Sequence, residues 1–190
     1  MTQSDNKPAA THYNQKPIRR AEFIKPPNIL KSKVGSGGLS QSILSKAQDL
    51  LENNTVDFRP LGEMYLNQLQ EGIDLSAIDL DSPEEDRHGE KNIRQMLYPS
   101  MQLKANGGMF HYDLVTIIGD KLVQFLEVIE RPDLEALEIV QAFHTTIRAV
   151  LLGQIQGSGG RYGNELVQAL DDACYRYFIK YPDNIDPHKR

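Results

Sequence analysis

The chain has a single cysteine, Cys174, in 190 residues, so no internal disulfide can form. Its setting, Ala173-Cys174-Tyr175 within an amphipathic stretch, suits a small buried apolar side chain better than a nucleophile. No Cys/His cluster has zinc-ligand spacing, and no two histidines sit at metal-ligand spacing on a helix. No uninterrupted apolar run approaches the roughly eighteen residues a membrane-spanning helix needs. Met1–Pro17 is polar and lacks the apolar centre of a secretory signal, so a cytoplasmic protein is expected. Long alternating runs and Asn-Gly or Asp-Gly hairpins are missing as well, which leaves little basis for strands. Gly-Ser-Gly-Gly occurs at 35–38 and at 157–160. Neither copy is followed by Gly-Lys-Ser/Thr or preceded by a strand, which excludes a phosphate-binding loop.

Charge is unevenly placed. Residues 1–34 carry seven Lys/Arg against Asp5 and Glu22, a balance of +5, and the rest of the chain carries −10. An acidic body argues against nucleic-acid binding by the domain. Residues 1–38, rich in Pro, Asn, Lys, Ser and Gly, read as a disordered basic arm. Within it Phe23, Ile24, Ile29 and Leu30 flank Pro26-Pro27, a pair that favours polyproline II. The segment reads either as a linear motif for a protein partner or as a strap packed on its own domain.

Residues 39–182 show helical periodicity throughout, and 183–190 form a polar tail. Helices are expected over 39–53, 58–73, 84–106, 112–130, 133–156 and 164–181. Pro99 should kink or break the third, Gly107-Gly108 should end it, and the second Gly-Ser-Gly-Gly should end the fifth. Asp133 is placed to cap the fifth helix. Leu166, Leu170, Ala173, Cys174, Tyr177 and Tyr181 should face inward on the sixth. Short connections between such helices favour an all-α, antiparallel bundle of about five or six helices with a disordered N-terminal arm. Bundles of this kind often pair with themselves, and nothing in the sequence fixes such an interface.

The fourth helix is the most informative. Its polar residues Asp113, Thr116, Asp120, Gln124 and Glu127 recur every three or four positions as an exposed stripe beside Leu114, Ile117, Ile118 and Leu122. Asp120 and Gln124, at i and i+4, are neighbours. This Asp120-Lys121-Leu122-Val123-Gln124 pattern resembles the active-site signature of the CheZ-type chemotaxis phosphatases, which work from long helical hairpins. The region 97–177 also resembles uncharacterised proteins linked to bacterial chemotaxis clusters. The first resemblance implies a signal-transduction regulator that binds a response-regulator receiver domain and promotes loss of its aspartyl phosphate. Gln124 would orient the attacking water, and Asp120 would engage a lysine of the partner. Mg²⁺ would come from the partner's site, with no cofactor of the chain's own. Such chemistry is within reach of an amide and a carboxylate, because phosphoryl transfer asks mainly for positioning and charge stabilisation.

Two other readings stand beside it. A non-enzymatic helical adaptor would dock through residues 18–34. A histidine phosphotransfer module would use His144, with Arg148 one turn on, as in the four-helix bundles of that type, although the usual Lys-Gly after the histidine is absent. His144 lies close to the stripe of Leu137, Val140, Ile147 and Leu151, which suits a structural histidine as well.

Overall fold

The computed structural model describes residues 38–185. The described residues form an all-α bundle: α1 (Gln41–Glu52), α2 (Arg59–Leu80), α3 (Gly89–Gly107), α4 (Asp113–Val128), α5 (Leu134–Leu152) and α6 (Gly160–Lys180). Short 3₁₀ turns at Glu84–Asp86 and Gly108–Phe110 precede α3 and α4. The chain divides into two units, 1–44 and 45–190, within α1. No residue of α1 is buried. Phe23, Ile24, Ile29 and Leu30 lie outside the described residues. Among the described residues no helix is long and apolar enough to cross a membrane.

Helix directions follow from pairings along the second unit. Gly72 meets Met96 while Tyr65 reaches Gln102, so α2 and α3 run antiparallel. Lys104 meets Gly119 while Gly107 meets Thr116, which makes α3 and α4 antiparallel too. Gly62 packs on Leu151 and Arg148 pairs with Glu63, so α5 returns along α2. Lys121 pairs with Asp171 and Phe125 packs on Tyr177 and Phe178, so α6 runs parallel to α4. Helix α4 lies at the centre: Leu114, Val115, Ile118, Leu122 and Leu126 are all essentially inaccessible. Two aromatic clusters close the ends, Phe58 stacked on Phe110 at 5.0 Å and Phe125 edge-on to Tyr177 at 5.4 Å. Aromatic pairs of this geometry add about 0.5–1.5 kcal/mol beyond their area.

Several boundaries differ from expectation, each for a physical reason. Helix α2 runs on to Leu80, beyond 73, because the Ser76 hydroxyl donates to the Gly72 carbonyl (2.7 Å) and fills a buried site against Met96. The apolar stripe hid this extension, since Leu75 and Ile78 point outward. Helix α3 starts at Gly89, not 84. Asp79 takes the His88 N–H and the Asn92 amide (both 2.8 Å), and Arg87 donates to the Leu80 and Ser82 carbonyls. These bonds hold 81–88 as a tight connection and lower the Asp79 pKa, chiefly through the His88 backbone donor. Pro99 does not break α3, which continues through it with Pro99 and Ser100 buried. Ser100 Oγ donates to the Met96 carbonyl at 2.7 Å, so this turn has side-chain support where proline supplies no N–H.

The fifth helix ends at Leu152, before the second Gly-Ser-Gly-Gly. That tetrad instead leads into α6, four residues earlier than expected, with Gly159 (φ +69°) and Gly160 (φ +58°) left-handed. A β-carbon at Gly159 would also lie 2.8 Å from Leu114, so glycine is required twice over. On α6, Leu170 and Tyr177 face inward as expected, whereas Leu166 is 39% exposed.

Candidate functional site

Helix α4 is held between α3 and α6 by charges of opposite sign on consecutive residues. Asp120 Oδ1 pairs with Lys104 Nζ of α3 at 2.6 Å, and Lys121 Nζ pairs with Asp171 of α6 at 2.9 Å. The α3 contact is possible because Gly119 has no side chain. A β-carbon there would come within 3.0 Å of the Lys104 backbone nitrogen and 3.1 Å of its Cα. Backbone touches backbone, and the Lys104 side chain is delivered to the carboxylate one residue on.

Gln124 is exposed, and its Nε2 donates to Asp120 Oδ2 at 2.7 Å. The two residues singled out by spacing are therefore in contact, on an accessible face. Asp120 has one oxygen on an ammonium and the other on an amide, with its side chain 37% exposed. The Gln124 carbonyl oxygen accepts no hydrogen bond among the described residues, which leaves it able to accept one from a water. The rest of the expected stripe is less uniform. Asp113 and Glu127 are exposed, but Thr116 turns inward, donating to the Lys104 carbonyl (3.0 Å) and accepting from the Gly108 N–H (2.8 Å). Ile117, expected on the apolar side, is 39% exposed on the same face as Asp120 and Gln124.

His144 is 5% exposed, between α5 and the Leu66 backbone of α2, with Nδ1 3.3 Å from Gln141 Nε2. Burial, then the nearby Arg148 cation, lowers its pKa below the ordinary 6.5, against the opposing pull of Glu63 and Asp74. A phosphoacceptor needs an accessible ring nitrogen, and the structure places this ring in the interior. The unfolded chain binds the proton more readily, so this histidine's contribution to stability is intact above about pH 6.5 and is lost progressively as pH falls from there through the lowered folded-state value. Melting temperatures at pH 7.5 and 5.5 are expected to fall less steeply in His144→Gln than in the wild type.

Burial pushes the Cys174 thiol up to about 12, which leaves it un-ionised at neutral pH and a poor nucleophile. His111 adopts a left-handed backbone (φ 65°), and its carbonyl accepts the Gly157 N–H at 2.6 Å, tying the turn before α4 to the turn before α6. Among the described residues no group of three His, Cys, Asp or Glu is placed to hold a metal ion. Lys104 is the site residue that sequence spacing did not find. It belongs to another helix, and only the close approach at Gly119 brings it to Asp120.

No family model, no curated protein and no solved structure matches the chain.

Proposed function

We propose that the protein is a cytoplasmic signalling regulator that binds a phosphorylated receiver domain and speeds loss of its aspartyl phosphate from the Asp120–Gln124 face of α4. The contact between these two side chains on the one accessible face of α4 carries the reading. Gln124 supplies a neutral amide that orients water without adding negative charge beside a phosphate. Asp120 already grips a lysine ammonium, that of Lys104, at 2.6 Å, which is the interaction required of it toward a partner lysine. The phosphoryl group and its Mg²⁺ belong to the partner.

Receiver domains charged with a small phosphodonor provide the test. Phosphate loss faster than the receivers' own rate on adding the protein is the expected result. No acceleration across a broad receiver set, with a well-folded sample, overturns it. In this reading Lys104 competes with the partner lysine for Asp120. An exposed ion pair is worth at most about 1 kcal/mol, so Lys104→Met is expected to lower KM by up to about fivefold and leave kcat unchanged. A KM raised by Lys104→Met would show that Lys104 does not compete with the partner for Asp120.

The charge contrast between residues 1–34 and the remainder, with apolar anchors inside the basic segment, favours a second reading, an adaptor that docks through residues 18–34. Deleting residues 1–34 would abolish partner binding and leave the helical content of the core unchanged.

A further inference from the structure

Three apolar side chains stand exposed around the Asp120–Gln124 pair, one from each helix of that face. Ile117 lies one turn before Asp120 on α4, Met101 one turn before Lys104 on α3, and Tyr175 one turn after Asp171 on α6. They are 39%, 48% and 67% exposed. Lys104 and Asp171 are the residues that reach across to Asp120 and Lys121, so Met101 and Tyr175 each neighbour a group already in contact with α4.

Their heights along the bundle agree. The antiparallel contacts of Lys104 with Gly119 and of Gly107 with Thr116 set Met101 level with Leu122. The pair of Lys121 with Asp171, on two parallel helices, sets Tyr175 level with Phe125, the residue after Gln124. Gln124 therefore has Met101 on its α3 side and Tyr175 on its α6 side, each within about one turn of its own height. Ile117 lies two turns nearer the start of α4. Single exposed apolar residues are common on any protein surface. Here three of them, from three helices, surround the one accessible face of a helix that is otherwise interior.

We propose that Met101, Ile117 and Tyr175 are the docking contacts for the receiver domain, an inference that rests on the reading of Asp120 and Gln124 given above. A partner that brings its aspartyl phosphate to Gln124 has to cover them. An interface of ordinary size buries about 800 Å² on each side, a round patch of about 16 Å radius, whereas packed helices stand about 8–10 Å apart. A receiver centred on Gln124 thus lies over the flanking edges of α3 and α6 as well as over α4. Tyr and Met are residue types that interfaces favour, and contacts of this kind around a polar centre exclude water from it. Shielded in this way, the hydrogen bonds of Asp120 and Gln124 act in a lower dielectric and are stronger.

The test is steady-state dephosphorylation of a receiver domain charged with a small phosphodonor, using the full chain. Ile117→Ser and Tyr175→Ser are each expected to raise KM about tenfold, and Met101→Ser about threefold, with the loss falling on KM. All three side chains are exposed, so helical content and melting temperature should match the wild type. Ile78→Ser is the control: Ile78 is 67% exposed on α2, a helix that does not pack on α4, and its KM should equal that of the wild type. In a protein that speeds phosphate loss, a KM within about twofold of wild type in both Ile117→Ser and Tyr175→Ser overturns the docking surface alone, as does an equal rise in Ile78→Ser. A wild type that does not speed phosphate loss overturns the reading of Asp120 and Gln124, and the docking surface with it.

Discussion

Gln124→Ala is expected to lower receiver dephosphorylation by about a hundredfold or more, the usual consequence of deleting one preorganised polar group from a transition state. The same variant should melt within about 0.5 kcal/mol of the wild type in stability, because the side chain is exposed and its only described partner is Asp120. The two outcomes together are diagnostic. A large activity loss in a folded protein assigns the amide to the water. Unchanged activity in a protein that dephosphorylates receivers would move the chemistry elsewhere on the surface. The kcat/KM split also separates the two residues of the pair. Loss of Gln124 should fall on kcat, since orientation of water matters only in the transition state. Loss of Asp120, which grips the partner, should fall mainly on KM.

Asp133→Ala is expected to destabilise the fold by about 2–4 kcal/mol, combining a lost helix cap with an exposed defect in a buried network. One carboxylate oxygen accepts the Ala136 N–H at 2.8 Å and starts α5. The other accepts the Tyr177 hydroxyl at 2.7 Å, from a side chain with no solvent exposure. Asn184 donates to that hydroxyl at 2.6 Å and to the Arg131 carbonyl at 2.9 Å, which pins residues after α6 to the α4–α5 turn. Burial, with the Asp133 acceptor next, raises the Tyr177 pKa above its ordinary value. Thermal unfolding measures the loss, and Asp133→Asn is the control. It keeps a capping oxygen, so it should recover about 1 kcal/mol while still disturbing the tyrosine bond. A change under about 0.5 kcal/mol for Asp133→Ala would show that the network is not shared between cap and core.

Asp133 also marks how far the sequence could be read. Its role as a cap was legible because an aspartate one residue ahead of an apolar-periodic segment has a local cause: its side chain satisfies an N–H three residues away. The same logic located all six helices, since periodicity is a property of a single segment. Boundaries failed where distant partners set them. On sequence grounds Pro99 should kink or break α3, yet the helix passes through it with the neighbouring Ser100 bonded to a backbone carbonyl. The start of α3 lies at Gly89 because Asp79, on another helix, takes the N–H of His88, the residue ahead of α3, and the Asn92 side-chain amide.

At the candidate site the division is sharper. By itself the sequence determined an acidic helical domain preceded by a basic segment, and the adjacency of Asp120 and Gln124, because a helix repeats every 3.6 residues. Only the tertiary structure decided that His144 is interior, that Thr116 closes a turn, and that Lys104 occupies Asp120. Those three facts depend on which helix lies against which and at what height. That register is set at contacts such as Gly119 on Lys104, Gly72 on Met96 and Gly62 on Leu151, where a glycine's lack of a side chain lets a neighbouring helix approach to contact distance. A glycine inside a helical pattern looks the same in sequence whether or not another helix rests on it.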